Sequence, residues 1–508
     1  MKVLFTGLFP LSQCHFVGEC NFIEEHLTAG DDVDVLTCDA SLNACDANPM
    51  FKITNCLTCM GIREDAFSML ASSVGIKPII SESSKKKIKE IKIPIFQSMS
   101  ELKSFRCFDS PVGSDVISSV MSVVADSDFD TIVHAERIKK NISDYIHVYL
   151  TALEYLKDIN YSLVYLFNGR FGPAKAWIRA CEARGVDYFT LERLGMPDRV
   201  IKIKNGTVHG FSSYAPRIRE FWNTNKGIED VRKEAIDFFE ERPKGLLKGW
   251  NSFIKGQDNE LLPSGWDPSK LNMAVFSSTE TEFAGIPEVF DGALYDDQKS
   301  CYLRIAQILK EKDSSIHLYL RIHPNSKSEK NYWWDCEEFH NISNLTVIPP
   351  ESPISSYRLM KSCVKTIVFM TTMGIEASYW GKPSILLSNS MYKGIGAVYE
   401  PSTEEEAIRL ILDKSLEPKP KEATLAYGAF HRKGTSKLPY SQALDRCTLT
   451  FKGNRPKASD QVLHSRWKWE NYVNKPWIPK IIKKLWEWSE FKRVSKNIYN
   501  KYNEKFIK

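Results

Sequence analysis

The sequence predicts an α/β protein of two Rossmann-like, doubly wound domains, with helices at its C-terminal end. Two long stretches alternate short apolar segments with amphipathic ones, the pattern of parallel strands connected by helices. A chain of 508 residues also exceeds what one hydrophobic core usually supports. A linker-like segment, LLPSGWDPSK, separates the two stretches. We therefore expect an N-terminal domain over 1–260, a second domain over 261–420 and a C-terminal extension over 421–508.

The N-terminal domain opens with a βαβ pattern. KVLFTG predicts a buried first strand, residues 13–29 have helical apolar spacing that stops at Gly30, and VDVLTC predicts the second strand. Further along, TIVHA, SLVYLFNGR and DYFTLE predict strands separated by helices. SLVYLFNGR ends in Asn168, Gly169 and Arg170 just before a helix. These residues are therefore expected at the carboxyl edge of the sheet, where open α/β sheets bind ligands.

The second domain repeats the alternation. The segments NMAVFSST, HLYLRIHP, NLTVIPP, TIVFM and SILLS predict strands. Residues 295–312, ISSYRLMKSC and GIEASYWG predict helices between them. The second stretch thus predicts another parallel sheet with its own carboxyl edge.

Composition and charge exclude several classes of protein. Apolar residues make up 43% of the chain and charged residues 26%, which excludes disorder over most of its length. The opening MKVLFTGLFPL lacks the form of a signal peptide, and no segment approaches the roughly 20 apolar residues that span a bilayer. We therefore expect a cytoplasmic protein. Of the net charge of +5, residues 466–508 alone carry +8, which leaves the rest of the chain at about −3.

Four of the twelve cysteines are clustered in the sequence, with the spacing Cys38-x6-Cys45-x10-Cys56-x2-Cys59. Four thiolates brought together by loops can hold zinc tetrahedrally, or an iron–sulfur cluster. We expect a structural zinc, which is the more frequent of the two centres, and a four-cysteine site leaves it no open position. The alternative is a set of free thiols in a small irregular subdomain.

Two segments of the second domain carry candidate binding residues. Arg321 and His323 follow a predicted strand in RIHPNS, where they can pair with phosphate or with a developing negative charge, so His323 is also a candidate catalytic residue. The alternative is an ordinary strand-ending turn. In TIVFMTTMGIEASYWGKPSI, a small-residue turn leads from a strand into a helix. Free N–H groups at that helix start favour an anion site; the residues are Thr371, Thr372 and Gly374.

Glu376 follows in the first turn of the same predicted helix. A carboxylate there can accept hydrogen bonds from ribose hydroxyls, and the alternative is a carboxylate that only stabilises the helix dipole. The Arg-x-His-Pro turn with the downstream Thr-x-Gly-x-Glu-Ala…Gly-Lys-Pro segment resembles bacterial surface-polysaccharide glycosyltransferases of the GT-B fold. Capsule-type sugar transferases and teichoic-acid-type glycerophosphotransferases are similar in this half.

The N-terminal cysteines and Asn168-Gly169-Arg170 also resemble a subgroup of capsule and O-antigen proteins. The resemblance covers roughly residues 1–60, 160–200 and 271–400. One departure is the turn Thr-Thr-Met before Gly374, where Ser-Thr and a small or β-branched residue are expected. The preference for a particular donor is therefore not carried over.

The resemblance implies that the C-terminal domain holds a nucleotide-sugar, that the N-terminal domain holds a glycan or lipid-linked glycan acceptor, and that reaction occurs in the cleft between them. It implies a ribose contact for Glu376 and donor-phosphate contacts for Arg321, His323, Thr371, Thr372 and Gly374. The polar residues of SSTETEF, 277–283, follow the first strand of this domain and are further candidates. The implied activity is sugar transfer in capsule or O-antigen assembly.

An inverting transferase needs a general base near the acceptor hydroxyl, whereas a retaining one does not. Polar residues at predicted strand ends of the N-terminal domain supply the candidates His15, His134, Glu136 and Glu192. Glu192 is slightly favoured because Arg193 follows it as an orienting partner. Asn168 and Arg170 are candidates for acceptor binding, with Arg170 suited to an anionic acceptor.

The last 43 residues interleave tryptophans with lysines. KIIKKLWEWSEFKRVSKNIYNKY predicts an amphipathic basic helix suited to the anionic inner face of the cell membrane. The alternative is that these helices pack back on the protein, and nucleic-acid binding is disfavoured because no recognition motif accompanies the charge.

Three other functions fit the same sequence. A glycerophosphotransferase and a nucleotide-sugar epimerase share the double-Rossmann frame, and an epimerase would consume its donor without an acceptor. A noncatalytic glycan-binding or assembly protein would have no affinity for nucleotides.

Overall fold

A computed structural model of the chain describes residues 1–6, 9–88, 91–246, 253–460, 462–464, 483–486, 488–489 and 491–494. In chain order, residues 1–208 contain β1 (Lys2–Phe5), α1 (Gln13–Thr28), β2 (Asp32–Thr37), α2 (Ile53–Phe67), β3 (Gly75–Pro78), α3 (Glu82–Lys87), α4 (Met99–Ser104), α5 (Val112–Val124), α6 (Ala135–Asp158), β4 (Leu163–Phe167), α7 (Gly172–Arg184), β5 (Tyr188–Arg193) and β6 (Arg199–Lys204).

Residues 209–435 contain α8 (Tyr214–Asn225), α9 (Glu229–Glu241), β7 (Leu271–Phe276), α10 (Gln298–Lys312), β8 (Ile316–Arg321), α11 (Glu337–His340), β9 (Leu345–Ile348), α12 (Ser356–Ser362), β10 (Lys365–Val368), α13 (Met373–Tyr379), β11 (Ser384–Leu386), α14 (Glu404–Leu412) and α15 (Lys421–Lys433). Three short strands follow: β12 (Ser436–Lys437), β13 (Ser441–Ala443) and β14 (Leu449–Phe451).

The first sheet has the order β12-β6-β5-β4-β1-β2-β3 in the described part of the chain. β1 runs parallel to β2 and β4, and β6 is antiparallel to β5. The order therefore reverses between β1 and β4, as in Rossmann-type sheets. The core on this sheet includes Val3, Phe5, Val33 and Val35 with Phe16 of α1, all almost fully buried.

The second sheet has the order β11-β10-β7-β8-β9, and all its pairings are parallel. Its strands repeat the arrangement of the first sheet, with the reversal between β7 and β10. β7 and β10 are buried along almost their whole length, as parallel strands covered on both faces are. Both sheets confirm the predicted α/β class with two Rossmann-like, doubly wound sheets.

The chain forms two compact units whose bounds differ from the predicted division near residue 260. Unit 1 contains 1–123, 129–208 and 436–508, and unit 2 contains 124–128 and 209–435. The difference arises because the polar helices α8 and α9 pack on α15 within unit 2. The aromatic rings of Phe238 in α9 and Tyr427 in α15 meet at 5.6 Å. The predicted division had placed α8 and α9 in the first domain because they follow its strands along the chain.

The predicted strand TIVHA is wrong. Residues 131–134 form turns that lead into α6, and Ile132 and Val133 are 54% and 73% exposed. The carboxylate of Asp130 accepts hydrogen bonds from the N–H groups of Ile132 (2.7 Å) and Val133 (2.9 Å), which turns the chain before the helix.

The C-terminal segment is described only in part, and Trp467, Trp469 and Trp477 lie outside the described residues. Phe491 and Val494 are buried in a cluster with Ile53 and Leu57 of α2. This contact agrees with the alternative in which the C-terminal helices pack back on the protein. Leu485 and Trp488 are 66% and 52% exposed, and membrane contact through them stays a prediction. In the described ranges, none of the helices has the length and apolar character needed to cross a bilayer.

Candidate functional site

A pocket in unit 2 lies at the carboxyl edge of the second sheet, where the strand order reverses. Ser277 follows β7, His323 follows β8, and Thr371 and Thr372 follow β10, and all four line it. Parallel strands bring these ends to one edge, and open α/β sheets bind ligands in the crevice at that reversal. The remaining lining residues are Arg242, Phe253, Ile254, Gln257, Phe276, Arg321, Pro324, Ser356, Tyr357, Met373 and Glu376.

His323 is held in one tautomer. The N–H of Asn325 donates to its Nδ1 at 3.2 Å, and the hydroxyl of Thr279 lies 3.1 Å from the same atom. The backbone N–H of His323 donates to Ser277 at 2.9 Å. Because Nδ1 accepts a hydrogen bond from a backbone amide, the neutral ring carries its proton on Nε2. Burial, with the charge of Arg321, lowers the pKa of His323 to about 4, so the ring is a neutral donor at physiological pH.

Arg321 is only 1% exposed and holds the loop after β9. Its guanidinium donates to the carbonyls of Pro349 and Ser352, the latter at 3.1 Å. Burial lowers its pKa to about 10, so it remains a cation at neutral pH. Among the described residues, its buried Nε has no acceptor. An anion in the pocket would provide one.

The turn before α13 differs in detail from the predicted anion site. The N–H of Gly374 donates to the carbonyl of Thr371 at 3.3 Å, so it is not free for a ligand. A Cβ on Gly374 would lie 2.5 Å from the hydroxyl of Tyr392 and 2.6 Å from Val368. Glycine is therefore needed at this position for packing. Thr371 and Thr372 are half-buried and line the pocket, and their predicted contacts with a phosphate stay predictions.

Glu376 is 1% exposed, and both its oxygens are engaged by side chains. Oε1 lies 3.0 Å from Nε of Arg242 and accepts the hydroxyl of Thr372 at 2.9 Å. Oε2 accepts the hydroxyl of Tyr357 at 2.5 Å. The carboxylate thus fixes Arg242 and Tyr357 at the pocket, and its predicted ribose contact stays a prediction.

Arg242 and Tyr357 were not found by sequence reasoning. Arg242 follows the polar helix α9, and Tyr357 lies in the short helix α12. Neither position has a motif around it. Only the fold brings them to Glu376, 134 and 19 residues away in sequence.

A second polar cluster lies in unit 1, again where the strand order reverses. His15 lies in the first turn of α1 after β1, Asn168 follows β4, and Glu192 lies near the end of β5. Nδ1 of His15 is 3.2 Å from Oε1 of Glu192, and the amide of Asn168 donates to Oε2 at 2.9 Å. The N–H of Arg193 also donates to Oε1, at 2.8 Å. The predicted candidates His15, Asn168 and Glu192 therefore form one cluster.

This cluster places an imidazole beside a carboxylate. Oε1 of Glu192 lies within ion-pair distance of Nδ1 of His15, so its negative charge can stabilise a proton on that ring. The ring of His15 packs edge-on against Phe167 at 4.8 Å. Burial lowers the pKa of His15 although the charge of Glu192 raises it, so the ring is neutral at physiological pH. A neutral imidazole beside a carboxylate is suited to general-base catalysis.

Asn168 positions the cluster through its backbone conformation. Its φ is +49°, in the left-handed region that asparagine tolerates better than most residues, and Gly169 follows with φ +80°. Its Oδ1 accepts the N–H of Arg170 at 2.8 Å. The guanidinium of Arg170 lies over the ring of Phe171, 5.0 Å from the centroid. The acceptor roles of Asn168 and Arg170 stay predictions.

The other two base candidates lie elsewhere in unit 1. His134 and Glu136 are at the start of α6, where the strand TIVHA was expected. Without that strand, neither residue is at the carboxyl end of a strand. Of the four candidates, His15 and Glu192 are the two whose side chains lie beside each other.

The four clustered cysteines also lie in unit 1. Cys38 directly follows β2, Cys45 lies in the next loop, and Cys56 and Cys59 lie in α2. All four are free thiols of intermediate exposure. In the ranges that the structure describes, no three His, Cys, Asp or Glu side chains are arranged to hold a metal ion as they stand. The predicted structural zinc is therefore untested and stays a prediction.

The two units define a double-Rossmann protein with a polar cluster at the reversal of each sheet. No protein-family model matches the sequence, and no curated protein does. The KpsC beta Kdo 2,4 transferase of Thermosulfurimonas dismutans is 13% identical to this chain. The match covers 60% of this chain and 87% of that one, with a TM-score of 0.37.

Two other solved structures resemble the chain weakly. The UDP-GlcNAc 2-epimerase of Neisseria meningitidis, bound to UDP-GlcNAc, is 12% identical over 84% of this chain and 97% of that one, with a TM-score of 0.24. The calicheamicin glycosyltransferase CalG4 is 12% identical over 84% and 93%, with the same TM-score of 0.24.

Proposed function

We propose that the protein is a glycosyltransferase that moves a sugar from a nucleotide-sugar to a surface-polysaccharide acceptor. One observation carries the proposal: each Rossmann-like sheet has a polar cluster where its strand order reverses, and the two clusters have complementary chemistry. The cluster of unit 2 presents hydrogen-bond donors and cations. The cluster of unit 1 presents an imidazole beside a carboxylate. Capsule or O-antigen as the acceptor comes from the motif resemblance alone.

On the donor side, the pocket of unit 2 would bind the phosphate of a nucleotide-sugar. Nε2–H of His323 and Nε–H of Arg321 are donors to phosphate oxygens, and Arg242 and Arg321 supply positive charge. Because His323 is neutral, it donates a hydrogen bond without taking part in proton transfer. The same donors would stabilise the negative charge that grows on the leaving nucleotide as the glycosidic bond breaks.

On the acceptor side, Nε2 of His15 would take the proton of the attacking hydroxyl. The carboxylate of Glu192 lies 3.2 Å from Nδ1 of the same ring and would stabilise the imidazolium that forms. The oxygen of the acceptor then forms the new bond to the sugar, and the nucleotide leaves with the bonding electrons. A base of this kind favours an inverting transferase.

The donor pocket is tested by nucleotide binding. We expect UDP, GDP, CDP or CMP to raise the melting temperature of the wild-type protein selectively. His323→Ala removes one hydrogen bond to a charged group, so the Kd of that nucleotide is expected to rise about 10- to 100-fold. Thermal shift identifies the nucleotide and calorimetric titration gives the Kd.

His317→Ala is the matched control, since His317 lies in β8, the strand that precedes His323, and its Nε2 is 2.8 Å from the hydroxyl of Thr346 instead of facing the pocket. It should leave the Kd unchanged. Absence of binding by every nucleotide would favour the noncatalytic glycan-binding protein. Consumption of the nucleotide-sugar without an acceptor would favour the epimerase.

A further inference from the structure

A hairpin from the far end of the sequence packs on the first helix of unit 1. Its strands β13 and β14 pair antiparallel, with Ser441 opposite Phe451. Leu449 and Phe451 are fully buried in the core around β1 and α1. Burial of these apolar side chains explains why the hairpin folds onto unit 1. It does not explain the polar contacts that the hairpin makes with α1 and β5.

Polar side chains of α1 hold the backbone of the hairpin. The side-chain amide of Gln13 donates to the carbonyl of Leu449 at 2.9 Å, and its oxygen accepts the N–H of Leu449 at 3.2 Å. About two turns further along α1, the fully buried Asn21 accepts the N–H of Tyr440 at 2.9 Å. The hairpin is thus attached along α1, beginning with the first turn, which carries His15.

The tip of the same hairpin is attached to the end of β5. The guanidinium of Arg193 donates to the carbonyl of Arg446, which lies in the turn between β13 and β14. The carboxylate of Asp445 accepts two backbone N–H groups of that turn, at 2.7 and 2.9 Å, and so fixes the turn that presents the carbonyl. The backbone N–H of Arg193 donates in turn to Oε1 of Glu192 at 2.8 Å.

These contacts form a closed ring that includes the polar cluster of unit 1. From the hairpin the ring passes through Gln13 to His15, two residues further along the first turn of α1. Nδ1 of His15 lies 3.2 Å from Oε1 of Glu192. From Glu192 the ring returns to the hairpin through Arg193. A displacement of either the first turn of α1 or the end of β5 therefore breaks a hydrogen bond to the hairpin.

We propose that the hairpin β13–β14 is a positioning element of this cluster, and that Gln13 and Arg193 are the positioning residues that connect it to His15 and Glu192. The inference rests on the proposed function for the role of His15 as a base, whereas the contacts do not depend on it. A base must lie within hydrogen-bond reach of the acceptor hydroxyl, and a misplacement of about 1 Å can cost roughly 10²-fold in rate. The rival is a hairpin that only closes the hydrophobic core.

Kinetics of full-length variants test the proposal. Gln13→Ala removes both hydrogen bonds to Leu449 without changing a charge, and Arg193→Met removes the donor to the hairpin tip. Each should lower kcat for sugar transfer by about 10- to 100-fold. The Kd for the nucleotide should not change, because that pocket lies in unit 2. Arg193→Lys keeps a cationic donor and should recover part of the rate.

Gln442→Ala is the matched control, since Gln442 is an exposed residue of the same hairpin. It should retain the wild-type kcat. Asp445→Ala keeps the test valid if a substitution beside the core prevents folding, because Asp445 is exposed at the hairpin tip. Loss of its two hydrogen bonds loosens the turn, so kcat should again fall while the melting temperature stays close to that of the wild-type protein.

NMR titration of His15 separates this proposal from the proposed function. Burial lowers the pKa of His15, and the charge of Glu192 raises it. Gln13→Ala leaves both charges of β5 in place, so its His15 should titrate at lower pH only if the contact with Glu192 is weakened. The titration uses histidine-labelled full-length protein, with His15 assigned by its absence from His15→Ala, and requires no activity.

A lower pKa of His15 in Gln13→Ala, in a protein that transfers no sugar, would support the hairpin's role and reject the proposed function. Folded Gln13→Ala and Asp445→Ala proteins in which His15 titrates as in the wild-type protein would overturn the proposal. A wild-type kcat in both variants would overturn it as well, since the hairpin would then only close the core.

Discussion

His15→Ala is expected to lower kcat/KM for sugar transfer by about 10²- to 10⁴-fold, the usual contribution of a general base. The imidazole of His15 is the group of the unit 1 cluster that can take the proton of the acceptor hydroxyl. The nucleotide pocket lies in unit 2, so the Kd for the nucleotide should not change. Steady-state kinetics with a nucleotide-sugar and a glycan acceptor, combined with calorimetric nucleotide titration, measure both quantities.

The pH profile separates a catalytic role of this pair from a structural one. Burial, with a smaller contribution from Arg193, lowers the pKa of His15 below its ordinary value of 6.5, while Glu192 opposes that shift. Because the base must be neutral, kcat/KM should rise with pH and level off, with its midpoint below 6.5. Glu192→Gln removes the charge that raises the pKa of His15, so the midpoint should move to lower pH and the plateau should fall.

His134→Ala provides the control, because this histidine was an equal candidate from sequence and lies at the start of α6. It should retain wild-type kinetics and pH dependence. An unchanged kcat/KM in His15→Ala would contradict the assignment of the base. So would a pH profile of Glu192→Gln whose midpoint is the same as that of the wild-type protein.

Glu376→Ala is expected to destabilise unit 2 by about 3–5 kcal/mol, the usual cost of removing one partner of a buried ion pair. The substitution leaves Arg242, whose side chain is 16% exposed, without its carboxylate at 3.0 Å. It also removes the acceptor of the Tyr357 hydroxyl. Chemical denaturation gives the change in the free energy of unfolding, and the melting temperature should fall by roughly 10 °C.

The double variant Arg242→Met, Glu376→Met tests the reason for this loss. Replacing both charges with apolar side chains leaves no unpaired ion, so much of the stability should return. A Glu376→Ala protein with wild-type stability that no longer binds nucleotide would show that Glu376 acts on the ligand and not on Arg242. That result would restore the predicted ribose contact.

Much of the fold follows from the sequence because buried parallel strands are continuous apolar runs. KVLFTG, NMAVFSST and TIVFM could be assigned for this reason, and they became β1, β7 and β10. TIVHA has the same composition but follows Asp130, whose side chain caps two N–H groups and turns the chain. A local hydrogen bond of this kind outweighs β propensity, and apolar patterning does not detect it.

The positions of the candidate sites could be predicted, but their pairings could not. Because strand ends meet at one edge, His15, Asn168 and Glu192 were expected near the same edge of the sheet. That Glu192 lies beside His15 depends on the register of β4 and β5 and on the left-handed turn at Asn168. Glu376 was likewise placed beside the pocket, while its partner Arg242 comes from a helix without any motif.

Formation of a glycosylated product tests the central claim most directly. The wild-type protein is incubated with the nucleotide-sugar whose nucleotide it binds and with lipid-linked or free capsule-type glycans, and the products are analysed by mass spectrometry. We expect the acceptor to gain one sugar mass for each nucleotide released, and His15→Ala to abolish most of this product. Tight nucleotide binding without any sugar transfer or acceptor-dependent nucleotide release, across the panel of donors and acceptors, would contradict the assignment as a glycosyltransferase.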